Sequence, residues 1–97
     1  MELEQAAQSF AAIGSEPRLE VLRILVRAGD AGLKVGEIQA RTRMAPSTLT
    51  HHLRFLEAGG LVNQSRHGRN IINRAAYDHI RALAAFLLEE CCTDQAT

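Results

Sequence analysis

Cysteine is nearly missing from this chain: 97 residues contain two, side by side at Cys91 and Cys92. A small exported domain stapled by disulfides needs several cysteines spread along its length, so that class is excluded. No apolar run approaches the roughly 20 residues of a membrane-spanning helix, and no charged-then-apolar leader with a cleavage site opens the sequence. A cytoplasmic protein in a reducing compartment, with no membrane partner, is therefore expected. Repeats, low-complexity tracts and linkers are also lacking, and residues 1–97 read as one folded unit. Apolar residues make up 46% of the chain, which supports a core and argues against disorder.

An excess of either charge is absent too, with eleven basic and eleven acidic residues. Taken alone, a net charge of zero weighs against a nucleic-acid partner. The distribution says otherwise. Residues 34–74 carry Lys34, Arg41, Arg43, Arg54, Arg66, Arg69 and Arg74 against only Glu37 and Glu57. The remainder holds four basic and nine acidic residues. A local positive footprint on a neutral chain is what backbone phosphates require.

The only prolines, Pro17 and Pro46, each fall where an amphipathic pattern begins, as suits the first turn of a helix. A first helix is predicted over 2–13, with Leu3, Ala6, Ala7, Phe10 and Ile13 on one side and Gly14 ending it. Ser15 caps a second running to about Arg27, with Leu19, Leu22, Ile24, Leu25 and Val26 facing inward. After a turn at Gly29–Gly32, residues 35–42 form a short helix with Val35, Ile38 and Ala40 inside. Arg43-Met44-Ala45 connects it to a helix over 46–58 that Gly59-Gly60 stops. Leu61–Ser65 and Asn70–Arg74 read as strands paired around Arg66-His67-Gly68-Arg69. A last helix spans about 76–91, its buried stripe being Ile80, Leu83, Ala84, Leu87 and Leu88. The fold expected is a mainly α winged helix-turn-helix of order ααααββα.

The most informative stretch is 46–56, Pro-Ser-Thr-Leu-Thr-His-His-Leu-Arg-Phe-Leu. Leu49, Leu53 and Leu56 form one apolar stripe, leaving Ser47, Thr48, Thr50, His51 and Arg54 free. In a helix-turn-helix the second helix enters the major groove by its N-terminal residues. Ser47, Thr48 and His51 are thus the candidates for base edges, and Thr50 and Arg54, with Arg43, for phosphates. His52 falls among the leucines and is expected to be a structural, hydrogen-bonded histidine. Arg66, His67 and Arg69 at the hairpin tip suit an adjacent minor groove or phosphates. One such module reads few bases, so dimerisation through the first and last helices is expected, covering residues such as Leu3, Phe10, Leu83, Phe86 and Leu87.

Segment 89–97 holds the second chemical signal. Two thiolates on a fraying helix end suit a soft, thiophilic ion. Zinc would want four ligands, and the adjacent pair Asp78 and His79 is wrongly spaced on a helix to supply two of them. An oxidisable vicinal pair is the alternative, giving a redox or persulfide sensor. A thiol enzyme is disfavoured, because no Cys-x-x-Cys is present and no general base lies near Cys91 in sequence. A winged helix that binds only protein is a further class, distinguished by absence of DNA binding at low salt.

Ser15-Glu16-Pro17-Arg18-Leu19-Glu20-Val21-Leu22, Ser47 to Leu56, Ala58-Gly59-Gly60-Leu61-Val62 and the Arg66–Arg69 turn together resemble the ArsR/SmtB family of metalloregulatory repressors. The resemblance covers nearly the whole chain. It implies a homodimeric winged-helix repressor that sits on double-stranded operator DNA and leaves it on binding an inducer, with no cofactor required. Many arsenic repressors of the family carry Cys-Val-Cys on the third helix, whereas Leu33–Ile38 here has no cysteine; the family's zinc site on the last helix is also missing. The end of the chain instead resembles a subgroup with vicinal cysteines after the last helix, which implies Cys91 and Cys92 as ligands for trivalent arsenic. Some members supply a third cysteine and this chain does not. A small thiol then completes the arsenite shell, or the inducer is methylarsenite, which needs two.

Overall fold

The computed structural model describes residues 1–95. Its elements run α1 (Leu3–Ile13), α2 (Glu16–Ala28), β1 (Leu33–Lys34), α3 (Val35–Thr42), α4 (Pro46–Ala58), β2 (Val62–His67), β3 (Asn70–Ala75) and α5 (Tyr77–Phe86). The expected order of helices and hairpin holds, and a two-residue strand joins it. β1 pairs with β3, giving a three-stranded antiparallel sheet of order β1-β3-β2. No helix among the described residues is long and apolar enough to cross a membrane.

The core is built around α2 and α4. Val21, Leu22, Ile24 and Leu25 of α2 meet Leu49, Leu53 and Leu56 of α4, with Ile38, Leu61, Val62 and Leu83 closing the ends. Ser15 starts α2 by accepting the Arg18 backbone N–H at 3.3 Å, and Gly29 ends it with φ 77°. Leu19 and Val26, expected inside, are 44% and 40% exposed. Four apolar residues already fill the arc of α2 that meets its neighbours, and these two fall beyond it.

α1 is rotated relative to expectation. Ala6, Ser9 and Ala12 face inward, while Leu3 and Phe10 stay exposed at 75% and 38%, and Ala7 is exposed as well. Close approach dictates this. A Cβ placed on Gly59 would lie 2.5 Å from that of Ala12, so only small side chains fit where α1 crosses the end of α4. On α3, Ile38 is buried and Val35 half-buried, but Ala40 is exposed.

The hairpin is tighter than the sequence pattern suggests. Pairing runs from Val62↔Ala75 to His67↔Asn70, leaving a two-residue turn of Gly68 and Arg69. Arg66 and His67 therefore end a strand instead of lying in the turn. Gly68, at φ 65°, supplies the left-handed geometry that matches a two-residue loop to the twist of its strands. Fully buried Asn73 locks the sheet base: its Nδ2 donates to the Leu33 carbonyl at 3.2 Å and its Oδ1 accepts from Gln64 Nε2 at 2.7 Å.

α5 stops at Phe86, five residues before its expected end, and residues 87–94 continue as successive turns. Their bonds run i to i−3, from Leu88 N–H to Ala85 O at 3.0 Å and from Cys91 N–H to Leu88 O at 2.9 Å. Of the expected stripe only Leu83 is buried; Ile80 is half-buried and Ala84, Leu87 and Leu88 are exposed. Phe86 is the last described residue of α5 to pack against the core, and past it propensity alone does not sustain a regular helix.

Candidate nucleic-acid interface and thiol pair

α4 presents two opposed faces. Leu49, Leu53 and Leu56 are at most 1% exposed, whereas Ser47, Thr48, Thr50, His51 and Arg54 all face solvent. Among the described residues, none of these five side chains is engaged in an internal hydrogen bond. Ala45 caps the helix without a side-chain bond, so the first-turn N–H groups beside Ser47 and Thr48 also point outward unpaired. Arg43 terminates α3 in the left-handed region at φ 61°, its N–H bonded to Gln39 O at 2.7 Å, and its side chain is exposed just ahead of α4. Arg66, His67 and Arg69 are exposed at the wing tip, with His67 Nε2 3.1 Å from Ser65 Oγ. The structure thus brings the helix candidates onto one free face and keeps the wing candidates together at the tip of the hairpin.

His52 departs from expectation. It is half-buried, but its Nδ1 is buried with no hydrogen-bond partner among the described residues. Burial, with the nearby Arg18 and His51 charges, holds its imidazole pKa below the usual range.

Several polar residues that fix the frame were missed. Ser9 is 1% exposed; its hydroxyl donates to Gly59 O at 2.8 Å and lies 2.8 Å from His79 Nε2. With the single hydroxyl proton committed to Gly59, Nε2 must carry the hydrogen and donate to Ser9. This triangle ties α1 and the start of α5 to the end of α4. At the wing base, Arg74 donates to Asp30 O at 2.7 Å and bonds Ser65 Oγ. Tyr77 donates to Val26 O at 2.9 Å, fastening the start of α5 to α2. Sequence offered no sign of these partners; apart from Arg74 and Ser65, which are nine positions apart, they lie 44 to 70 positions apart.

Cys91 and Cys92 are exposed free thiols whose Sγ atoms lie 3.2 Å apart, beyond the about 2.0 Å of a disulfide bond. Adjacent residues on a regular helix diverge by about 100°, and the end of α5 before them removes that obstacle. Cys92 adopts φ 65°, outside the right-handed helical region. Residues 96 and 97 of the proposed sensor segment lie outside the described residues. No group of three or more His, Cys, Asp or Glu suited to a metal is assembled among the described residues. Asp78 pairs with Arg81 at 3.2 Å and His79 with Ser9.

A recessed apolar surface runs between α1, α2 and α5. Phe10, Ile13, Leu19, Val26, Leu83 and Leu87 contribute to a groove of about 430 Å³, with Arg23 and Arg27 on its border.

The family model described as "Bacterial regulatory protein, arsR family" matches residues 15–64, the span from the cap of α2 into β2. This chain belongs to the ArsR family. Transcriptional activator HlyU of Vibrio cholerae is 30% identical over 81 residues, covering 84% of this chain and 72% of that protein. A transcriptional repressor SmtB homologue of Synechocystis is 31% identical over 80 residues, covering 82% of this chain but 58% of that protein. Among solved structures, a homodimeric winged helix-turn-helix DNA-binding domain of a possible ArsR-family regulator from Mycobacterium bovis superposes with a TM-score of 0.73 at 28% identity, covering 98% of this chain and 88% of that one. As an ArsR-family member the chain is a DNA-binding transcriptional regulator and not an enzyme.

Proposed function

We propose that this ArsR-family regulator is a homodimeric repressor of the reducing cytoplasm, released from its operator when trivalent arsenic binds Cys91 and Cys92. The observation that carries the inducer is the 3.2 Å separation of two exposed thiols in the turns that follow α5. Trivalent arsenic forms three bonds. A methyl group occupies one, so methylarsenite matches a two-thiolate site, whereas arsenite needs a third sulfur from a small thiol. Zinc is disfavoured because no third protein ligand stands nearby among the described residues.

Support for DNA contact comes from the free face of α4, with Ser47, Thr48 and His51 for bases and Thr50, Arg54 and Arg43 for phosphates. Arg66, His67 and Arg69 act from the wing. Support for the dimer comes from the apolar residues that α1 and α5 leave uncovered and from the homodimeric neighbour in Mycobacterium bovis. A twofold arrangement sets two copies of α4 one duplex turn apart, about 34–36 Å. Capture of arsenic reorders the segment after Phe86, beside the dimer surface, and disfavours that spacing. A coupling of about 1–3 kcal/mol is ordinary for such linkage.

A duplex selected by the wild-type protein from a random pool provides the probe. Methylarsenite is expected to release it, zinc to leave it bound, and the Cys91→Ser, Cys92→Ser double variant to stay bound throughout. Release of the double variant by the arsenical would place the sensor elsewhere. The thiol contact also suits oxidation to a vicinal disulfide; release by peroxide but not by methylarsenite selects that reading.

A further inference from the structure

The Arg18 side chain has no part in the proposed DNA or arsenic contacts, yet it sits where three helices meet. It stands in the first turn of α2, and its guanidinium does not seek a carboxylate. Nε donates to Ala12 O at 2.6 Å and Nη2 to Ala11 O at 3.4 Å. These are carbonyls of the last turn of α1, where the helix dipole favours a cation; Ala11 O also accepts the Gly14 N–H. The same group lies over the ring of Phe55, 5.0 Å from its centroid. Phe55 is one turn beyond His51 on α4, and the two rings meet edge-to-face at 80° with centroids 4.8 Å apart.

We infer that Arg18 is a positioning residue for operator recognition: through Phe55 it orients the His51 ring, and it couples that orientation to the end of α1. It acts without touching DNA. The inference rests on His51 being a DNA contact.

The physical reason lies in rotamers. Phe55 is 44% exposed and His51 is exposed, so neither ring is fixed by burial. Each has several staggered wells open to it. A guanidinium can stack its flat face on an aromatic ring while its edge N–H groups bond to carbonyls. Arg18 Cζ lies over the Phe55 ring while Nε and Nη2 bond the α1 carbonyls, which pins Phe55 from one side. The pinned ring then offers His51 a perpendicular surface, and aromatic pairs favour that arrangement. An imidazole already held in one rotamer loses less freedom on docking. Because the carbonyl anchors belong to α1, a shift of that helix relative to α4 is passed to His51 along the same contacts. Lysine keeps the charge of Arg18 but cannot stack and fork at once.

Histidine-labelled full-length protein tests this by NMR, with His51 resonances assigned by His51→Asn. In Arg18→Lys the His51 ring shifts are expected to move towards those of a freely rotating histidine. Affinity for the selected duplex should fall about tenfold, the order carried by contacting coupled residues. Affinity for random-sequence DNA and its salt dependence should hold within about twofold, because the charge is kept. Phe55→Leu should reproduce both changes, and adding Arg18→Lys to it should do little more. Should Arg18→Lys fail to fold, Phe55→Leu carries the test alone. Unmoved His51 shifts, or an equal loss on selected and random DNA, would overturn the proposal. A His51→Asn protein that binds the selected duplex like wild type would sink the DNA-contact reading instead, whatever the ring shifts report.

Discussion

His52 shows how one side chain can tax the fold. Its Nδ1 is buried without a partner, and burial together with Arg18 and His51 lowers its affinity for a proton. The unfolded chain, free of that environment, takes up the proton below about pH 6.5. Wherever the unfolded state binds more protons, stability falls as pH falls. Thermal midpoints of wild type are therefore expected to drop as pH falls below about 6.5, and His52→Leu should flatten that part of the profile. An unchanged slope in the variant would assign the loss to other groups. Ser9 is the counter-example, a buried hydroxyl with both hydrogen-bonding roles filled by Gly59 and His79. The apolar and basic residues beside these two were legible from spacing. Their own surroundings were not, because a buried polar atom is defined by partners distant in sequence.

At the level of elements, α4 and the wing differ in what holds them. Three leucines anchor α4 in the core, so its outer face can change without loss of the fold. The wing has little core behind it. Cross-strand bonds, Asn73 and the Arg74 bridge to Asp30 set its position. Arg66→Ala with Arg69→Ala is thus expected to leave thermal stability nearly unchanged and to lower DNA affinity for all sequences alike. The slope of log affinity against log salt should shrink by about two if both groups neutralise phosphate. A loss confined to one sequence would instead mean that the tip reads bases. The sequence pattern located both strands but cut them short at Ser65 and Arg74. Paired residues at a hairpin end carry no apolar alternation, so Arg66 and His67 looked like turn.

For the whole molecule, the radius of gyration is 15.3 Å, above the about 13 Å of a compact 100-residue domain. Exposed Leu3, Phe10, Leu87 and Leu88 lie on or beside the terminal helices, and Leu19 and Val26 line the groove between them. Surfaces of this kind await a partner. Of the residues expected at a dimer contact, Leu83 is spent in the protomer core and Phe86 is half-buried. Leu87→Glu with Leu88→Glu should therefore convert the proposed dimer to monomer in sedimentation equilibrium while leaving helical content intact. It should also weaken binding to the selected duplex much more than binding to a single half-site. A variant that sediments like wild type would move the interface off this face.

Sequence alone determined what depends on local period and residue chemistry. The 3.6-residue stripe of α4, the cap at Ser15, the first-turn proline Pro46, the glycine stops and the paired thiols are all readable within one or two turns of chain. They were enough to fix the winged helix and the family resemblance. Tertiary structure decided which stripe of each outer helix turns inward. On α1 the choice fell to Ala6, Ser9 and Ala12, because only small side chains let that helix approach Gly59. It also decided where α5 ends and where the Arg18 guanidinium lies. Both depend on surfaces contributed by distant segments, and pairwise packing of that kind leaves no periodic trace along the chain.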